Sequence, residues 1–126
     1  MSRPIPHQKL TETAETVLER RYYLKDADGK TLENWEMLCR RVADAVALVD
    51  QDQPDYADLS NRFFEMIYSL DFLPNSPCLM NAGTDLGQLS ACFVLPIEDS
   101  MDGIFSAVRN GALVHKTGGG TGYSFS

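Results

Sequence analysis

The sequence predicts an α/β protein with an N-terminal helical region, residues 1–72, followed by a strand–helix–strand unit in residues 73–126. Three segments of the first part repeat apolar residues at helical spacing. In the second part, an apolar run precedes an amphipathic helix, a glycine-rich loop and an alternating segment, which is the order of an opening unit of an α/β sheet. Because the sheet has almost no other strands, we expect the chain to be a piece of a larger α/β protein.

Composition predicts one acidic globular domain. The 126 residues carry a formal net charge of −7, and 44% of them are hydrophobic, which is enough apolar side chain for a core. An acidic chain is unsuited to binding a nucleic acid polymer, because phosphate binding needs a basic face. The sequence contains no run of 18 apolar residues and no hydrophobic signal core, so we expect no membrane association and a cytoplasmic location.

The N-terminal part begins with nine residues that are predicted to form a loose leader, because they contain two prolines. Apolar spacing predicts a first helix over residues 11–24. The polar stretch over residues 25–30 is typical of a turn, since its aspartates can bond nearby amides and Gly29 tolerates positive φ.

Two further helices are predicted before residue 72. Thr31 is expected to cap the second helix, with Glu33 favourably placed in its first turn. Its predicted core face comprises Trp35, Leu38, Val42, Ala45 and Val49. Asp55 is expected to cap the third helix. Its predicted apolar face comprises Leu59, Phe63, Met66, Ile67 and Leu70.

The character of the sequence changes at Asp71. Residues 71–88 have the composition of an ordered loop rather than a helix or a long strand. The apolar run over residues 89–95 is stopped by Pro96 and predicts a strand buried on both faces. Asp99 or Ser100 is expected to cap a fourth helix. Its predicted apolar face comprises Met101, Ile104, Phe105, Val108 and Ala112.

Glycines mark the end of the fourth helix and the loop after it. Gly111 is expected to weaken the helix by about 1 kcal/mol relative to alanine, so that its far end frays. The run over residues 118–122 could bring backbone amides close to an anion, although a tight turn is the simpler interpretation. It is not a P-loop, because His115 and Lys116 precede the glycines. His115 is also favourably placed against the helix dipole.

Local sequence alone assigns no chemistry to the cysteines or to the paired acids. Cys39, Cys78 and Cys92 are widely spaced, with no CxxC motif and no histidine at metal-ligand spacing, so no metal site is predicted. A cysteine inside an apolar strand, such as Cys92, is usually a small inert hydrophobe. Glu98 and Asp99 could form an acid–base pair, but a helix cap explains Asp99 better.

Four blocks of the sequence, taken together, resemble the catalytic subunit of a ribonucleotide reductase, and most closely the adenosylcobalamin-dependent class II enzymes. In chain order these blocks read LPNSPCLMNAG at residues 73–83, GQLSACFVL at 87–95, DSM at 99–101 and HKTGGGTGYSFS at 115–126. Residues 17–23 and 35–45 also resemble the helical region that precedes the catalytic barrel in this family. The resemblance therefore covers nearly the whole chain.

The resemblance implies a ten-stranded α/β barrel, to which this chain would supply the preceding helices and the first elements. It also implies that Cys92 is one of two cysteines that are oxidised to a disulfide as the ribose 2′-OH is reduced. A thiol pair can deliver two electrons and be regenerated by exchange. Ser76, Ala91, Cys92 and Gly120 would then contact the substrate ribonucleotide. Cys78 departs from the family pattern, because threonine is expected at this position in most relatives.

Other parts of the family machinery are not matched in this sequence. These parts are the cysteine that forms the thiyl radical with its asparagine and glutamate, the partner of the redox disulfide, the effector loops and most contacts to adenosylcobalamin. We therefore expect the chain alone to be inactive and to need the missing C-terminal portion of the reductase, a thioredoxin-like or other dithiol reductant and a homodimer of the complete enzyme. The sequence also shows no nucleotide-binding cone before the helical region, so control of activity by ATP and dATP is not predicted.

Two alternatives to the class II interpretation stay open at this point. One is a fragment of a class I reductase large subunit, in which Cys92 has the same role but a partner protein delivers the radical. The other is a helical interaction module without catalysis, in which residues 11–72 fold alone.

Overall fold

The computed structural model describes residues 9–125, so nearly all of the predicted leader lies outside the described residues. Helices and strands alternate with short turns along this range. In chain order they are α1 (Glu12–Arg21), α2 (Trp35–Ala47), a 3₁₀ helix (Leu48–Asp50), α3 (Tyr56–Tyr68), α4 (Ser76–Asn81), β1 (Cys92–Pro96), α5 (Met101–Lys116) and β2 (Gly120–Ser124). Within the described residues, no helix is long and apolar enough to cross a membrane.

The predicted first helix and turn are confirmed. Thr11 caps α1 by accepting a hydrogen bond from the amide of Ala14 at 3.2 Å, and the helix ends three residues earlier than predicted. Asp26 Oδ1 accepts hydrogen bonds from the amides of Asp28 and Lys30, and Gly29 adopts a φ of 80°. Aspartate and glycine therefore shape this turn as their side-chain chemistry predicts.

The predicted start of α2 is wrong. Asn34, not Thr31, caps the helix, because its side-chain oxygen accepts from the amide of Met37 at 2.9 Å. Thr31 instead forms an isolated antiparallel bridge with Lys25. At its other end, α2 gives way to the 3₁₀ helix, and this turns Val49 away from the core to 85% exposure.

The core of the described chain lies between α2 and α3. Leu38, Cys39, Val42 and Ala43 of α2 are almost completely buried, together with Ile67 of α3. Burial of such side chains is the main favourable term in folding.

Two predictions for α3 fail at its ends. Asp55 stands at the N-cap position but makes no capping hydrogen bond with its side chain. Leu70, predicted on the apolar face, lies beyond the helix with a φ of 64°.

The prediction of a loop without a helix over residues 71–88 is also wrong, because α4 forms within it. Asn75 caps α4 by accepting from the amide of Cys78 at 2.9 Å, and Pro77 lies in the first turn. Proline is tolerated there because the amide that it lacks would have no partner in the helix. The asparagine and proline that suggested a loop are therefore the residues that start this helix.

Strands β1 and β2 are parallel and are joined by α5, which confirms the predicted strand–helix–strand unit. Cys92 pairs with Gly120, and Pro96 pairs with Ser124. The predicted burial of the strand on both faces is wrong for the described residues, since Val94 is 77% exposed. Two strands and one helix do not provide a second layer for each face of the sheet.

Helix α5 is capped by Ser100, which accepts from the amide of Gly103 at 3.0 Å, as one of the two predicted capping residues. The predicted apolar face is mostly exposed, whereas Ala107 and Gly111 are buried. The helix also continues to Lys116 instead of fraying at Gly111. The hydroxyl of Tyr123 packs directly against Gly111, where it occupies the space that a side chain would need.

A buried ion pair joins the helical elements to one another. Arg41 Nε donates to Glu33 Oε1 at 2.6 Å, and the side chains of these two residues are only 12% and 6% exposed. Arg41 also donates to the carbonyls of Leu79 and Ala82 at the end of α4, at 3.1 and 2.5 Å. Glu33 Oε2 accepts from the amide of Leu24 at 2.9 Å. The pair therefore connects the turn after α1, the middle of α2 and the end of α4.

Replacing Arg41 by methionine should lower the free energy of unfolding by about 3–5 kcal/mol, because it leaves the buried Glu33 carboxylate without its partner. Urea unfolding of the chain measures this change. Arg40→Met is the matched control. Arg40 is half-buried, with its guanidinium 3.9 Å above the Phe64 ring, a hydrogen bond to Asn61 and Asp44 at 3.9 Å. Its loss should cost about 1–2 kcal/mol, because each of these contacts is weak and partly exposed to solvent. Equal losses in the two variants would contradict the prediction.

Candidate functional site

Three of the four predicted site residues meet at the amino-terminal ends of the two strands. Cys92 is the first residue of β1 and its side chain is exposed. Gly120 is opposite it on β2, and the Gly120 amide donates to the carbonyl of Ala91 at 2.8 Å. A Cβ atom on Gly120 would lie 3.9 Å from Cys92 Sγ and 3.8 Å from the Ala91 carbonyl oxygen. The thiol therefore lies beside a backbone that carries no side chain.

The glycine run forms a tight turn in which its first amides already have partners. Gly118 adopts a φ of 85°, and its amide donates to the carbonyl of His115 at 3.0 Å. The amide of Gly119 donates to the carbonyl of Val114 at 3.1 Å. Since the amide of Gly120 donates to Ala91, the first three amides of the run all point to backbone carbonyls. This geometry supports the turn interpretation over an anion site built from these amides.

Because Gly119 has no side chain, three neighbouring side chains pack closely against the backbone of the turn. A Cβ atom at this position would lie 2.7 Å from Val114 Cγ1, 3.1 Å from Phe93 Cε2 and 3.2 Å from Gln88 Nε2. Contacts this short force neighbouring groups to move, and such overpacking is destabilising. The absence of a side chain at Gly119 is therefore a packing requirement of the site.

Ser76, the fourth predicted site residue, lies at the start of α4. Its side chain is exposed, and its hydroxyl is 2.8 Å from the hydroxyl of Tyr22 at the end of α1. Among residues 9–125, no hydrogen bond joins Ser76 to Cys92. The other end of α4 does approach the strands, because Asn81 Nδ2 donates to the carbonyl of Gln88 at 3.1 Å.

The other two cysteines are buried away from the strand pair. Burial raises the pKa of the Cys39 thiol to about 12, partly offset by a backbone hydrogen bond. Burial also raises the pKa of the Cys78 thiol, and the charge of Arg41 opposes this shift. Cys78 lines an apolar cavity of about 380 Å³ between α2 and α3. All three cysteines are free thiols.

Sequence reasoning missed several polar residues that hold the site together. Gln88 accepts a hydrogen bond from the Thr117 hydroxyl at 2.5 Å, and His115 Nε2 lies 2.8 Å from the Thr121 hydroxyl. His115 was predicted only to complement the helix dipole. Gln88 stands within the block of residues 87–95 that carried the family resemblance, which was the available signal. Within residues 9–125, no group of three or more histidine, cysteine or acidic side chains could hold a metal ion.

Comparisons with known proteins match both parts of the chain. A family model described as the all-alpha domain of ribonucleotide reductase matches residues 8–87, and one described as the barrel domain of ribonucleotide reductase matches residues 90–126. The vitamin B12-dependent ribonucleoside-diphosphate reductase of Thermoplasma acidophilum is 39% identical, over 94% of this chain and 23% of that protein. The enzyme of the same name from Mycobacterium tuberculosis is 48% identical, over 94% of this chain and 17% of that protein.

A more distant relative carries a different name. The ribonucleoside-diphosphate reductase subunit alpha of Helicobacter pylori is 32% identical over 84% of this chain and 13% of that protein. The chain spans about a fifth of the length of the vitamin B12-dependent relatives that it matches.

The exposure of the three thiols predicts the order in which they react. In the native chain, iodoacetamide should modify Cys92 first, and Cys39 and Cys78 only after unfolding, because the reactive thiolate is disfavoured in a buried site. Mass spectrometry of tryptic peptides after brief labelling at pH 8 measures the order. Cys92→Ser is the control and should show almost no labelling under native conditions. Fast native labelling of Cys39 would contradict the described burial.

Replacing Gly119 by alanine should weaken the hydrogen bond between the Gly120 amide and the Ala91 carbonyl, where the two strands begin. The added methyl group would displace Val114 or Phe93, so the Gly120 amide should exchange its hydrogen about tenfold faster. Amide hydrogen exchange measures this rate. Gly122→Ala is the matched control, because nothing lies within 4 Å of a Cβ atom there. An unchanged exchange rate of the Gly120 amide in Gly119→Ala would contradict the close packing of Val114 and Phe93 around residue 119.

Proposed function

Because the chain belongs to the ribonucleotide reductase family, we propose that it forms the N-terminal helical region and the first barrel elements of an enzyme that reduces ribonucleotides to 2′-deoxyribonucleotides. The observation that carries this proposal is the exposed Cys92 thiol beside Gly120, within the segment that matches the barrel domain. We place the boundary between the two parts at residues 72 and 73. The substrate is a ribonucleoside diphosphate, as in the names of the relatives.

Cys92 is one of the two thiols that reduce the ribose. In this step two thiols together lose two electrons and two protons and form a disulfide. One proton joins the hydroxyl that leaves C2′ as water, and the other proton and the two electrons form the new C2′–H bond. Cys39 and Cys78 are unsuited as the second thiol, because both are buried and burial raises their pKa. The second thiol therefore comes from a part of the reductase beyond this sequence. A thioredoxin-like or other dithiol reductant then restores both thiols by exchange.

The substrate pocket includes Ser76, Ala91, Cys92 and Gly120. The glycine at 120 leaves open space beside the thiol, so a sugar ring can approach closely. The backbone amide and carbonyl of Gly120 both take part in the parallel pairing with β1, so its contact to substrate is made through its α-carbon. The Ser76 hydroxyl shares one hydrogen bond with Tyr22 and keeps capacity for a second.

The complete enzyme is a class II reductase that uses adenosylcobalamin. The relatives named as vitamin B12-dependent are 39% and 48% identical to this chain, against 32% for the subunit alpha of Helicobacter pylori, and this favours class II over class I. When bound, the cofactor supplies the radical that starts the reaction. The resemblance to class II enzymes implies that most contacts to this cofactor lie outside this sequence. We therefore assign the cofactor contacts, and the radical cysteine with its asparagine and glutamate, to the rest of the reductase.

The rest of the enzyme also covers the strand pair. Each strand has one unpaired edge among the described residues, and Val94, Phe105 and Val108 are exposed. Open edges and apolar faces of this kind favour association with further structure. The missing C-terminal portion completes a ten-stranded barrel, and the complete enzyme is a homodimer in the cytoplasm. Without that portion the chain does not reduce ribonucleotides.

Turnover of the complete reductase that carries these residues tests the proposal. With adenosylcobalamin and dithiothreitol, Cys92→Ser should lower multiple turnover at least about a hundredfold, because no disulfide can form and be regenerated. Cys78→Thr is the control and should stay within about threefold of the unchanged enzyme, since the side chains are similar in size and the Cys78 side chain is buried in the helical core.

Two results would contradict the proposal at different levels. Near-normal multiple turnover by Cys92→Ser would remove the redox role of Cys92. Failure of the unchanged complete protein to reduce any ribonucleotide, with cofactor and reductant present, would remove the proposed function itself.

A further inference from the structure

We infer that Gln88 is a positioning residue, whose side chain holds Thr117 and the first residues of the glycine run in place against the segment Ser90–Cys92. This inference rests on the proposed function and deepens it, because these two segments carry three of the proposed substrate contacts. Gln88 touches none of the reacting atoms. It acts through the residues on both sides of the Cys92 thiol.

The side chain of Gln88 bridges parts of the chain that are distant in sequence. Its Oε1 accepts from the Thr117 hydroxyl at 2.5 Å, a hydrogen bond between residues 29 positions apart. Its Nε2 lies 3.4 Å from the carbonyl of Ser90, which is a long hydrogen bond. The carbonyl of Gln88 accepts from Asn81 Nδ2 at 3.1 Å. One residue thus connects the end of α4, the approach to β1 and the end of α5.

Packing adds to this connection at Gly119. The Gln88 amide nitrogen would be 3.2 Å from a Cβ atom on Gly119, closer than ordinary van der Waals contact. The amide therefore lies against the backbone of the glycine run at a position where alanine would push it away. A hydrogen bond at Thr117 and a packing contact at Gly119 therefore fix the chain just before the glycine run and within it.

Gly120, the residue after Gly119, links the Gln88 contacts to the Cys92 thiol. Gly120 pairs with Cys92, and its amide donates to Ala91 at 2.8 Å. The Gln88 contacts restrain the same two segments from the side of the turn. Without the Gln88 contacts, the glycine run can shift relative to the Cys92 thiol. Part of the binding free energy of the substrate is then used to bring the run back into position. Such a loss raises KM more than it lowers kcat.

A double-mutant cycle on the complete reductase tests the inference. Gln88→Met keeps the length of the side chain without its polar atoms, and Thr117→Val keeps the shape without the hydroxyl. The Thr117 hydroxyl also lies 2.8 Å from the Val114 carbonyl, so its one hydrogen is shared between two acceptors. Thr117→Ser retains the hydroxyl and serves as the conservative variant. Gln51→Met, at an exposed turn after the 3₁₀ helix, is the matched control.

KM and the exchange rate of the Gly120 amide distinguish a positioning role of Gln88 from a general effect on stability. Each of Gln88→Met and Thr117→Val should raise KM for the ribonucleoside diphosphate about tenfold, with kcat within about threefold, as for the loss of one hydrogen bond. The double variant should be no worse than the more impaired single variant, because both remove the same contact. Thr117→Ser and Gln51→Met should stay within about twofold of the unchanged enzyme. Hydrogen exchange at the Gly120 amide should quicken about tenfold in Gln88→Met and be unchanged in Gln51→Met.

Several results would overturn the inference while the proposed function stands. One is an unchanged KM in Gln88→Met, and another is fully additive effects in the double variant. A third is a loss of activity that follows a lower melting temperature without any change in KM or in Gly120 exchange. If the unchanged reductase turns over and Cys92→Ser does not, the proposed function survives each of these results. An inactive unchanged enzyme removes the proposed function instead, and unchanged Gly120 exchange in Gln88→Met then counts against the inference as well.

Discussion

The buried pair of Arg41 and Glu33 is the interaction on which the rest of the helical region depends. Two opposite charges that are almost removed from water must satisfy each other and their remaining hydrogen-bonding groups, or the burial costs several kcal/mol. Here Arg41 also donates to two carbonyls at the end of α4, and Glu33 accepts from the amide of Leu24. The requirement to satisfy these groups therefore fixes α4 against α2.

The candidate site is connected to this pair by a short series of contacts. Arg41 holds the last turn of α4, where Asn81 donates to Gln88, and Gln88 accepts from Thr117 next to the glycine run. The helical region thus contacts the more exposed strand pair through polar groups, and its buried core cluster contains no residue of the two strands among residues 9–125. This arrangement agrees with the proposed substrate pocket, because Cys92 is exposed among the described residues while the backbone beside it is hydrogen-bonded.

Sequence predicted the elements whose signals are local. The Ser100 cap and the strand–helix–strand order are confirmed, since the cap depends on side-chain chemistry within a few residues and the order depends on the apolar pattern within each element. Asparagine and proline occur both in loops and at the starts of helices. Here they predicted a loop, but they start α4. At the site, local pattern favoured an inert Cys92, and only the family resemblance predicted a redox thiol. Gln88 was missed because its partner Thr117 lies 29 residues away, which no local pattern reports.

Strand β1 is predicted to be buried on both faces, but one of its faces is exposed among the described residues. The apolar run that ends at Pro96 has the composition of a strand covered on both faces, yet Val94 is 77% exposed and the apolar face of α5 is largely uncovered. Composition reflects the environment in which a strand functions, whereas the described residues supply only part of that environment. The proposal of a larger barrel accounts for this difference, since further strands and helices would cover these faces. The same coverage would enclose Cys92 and exclude water from the thiol, so completing the fold and completing the site would be one event.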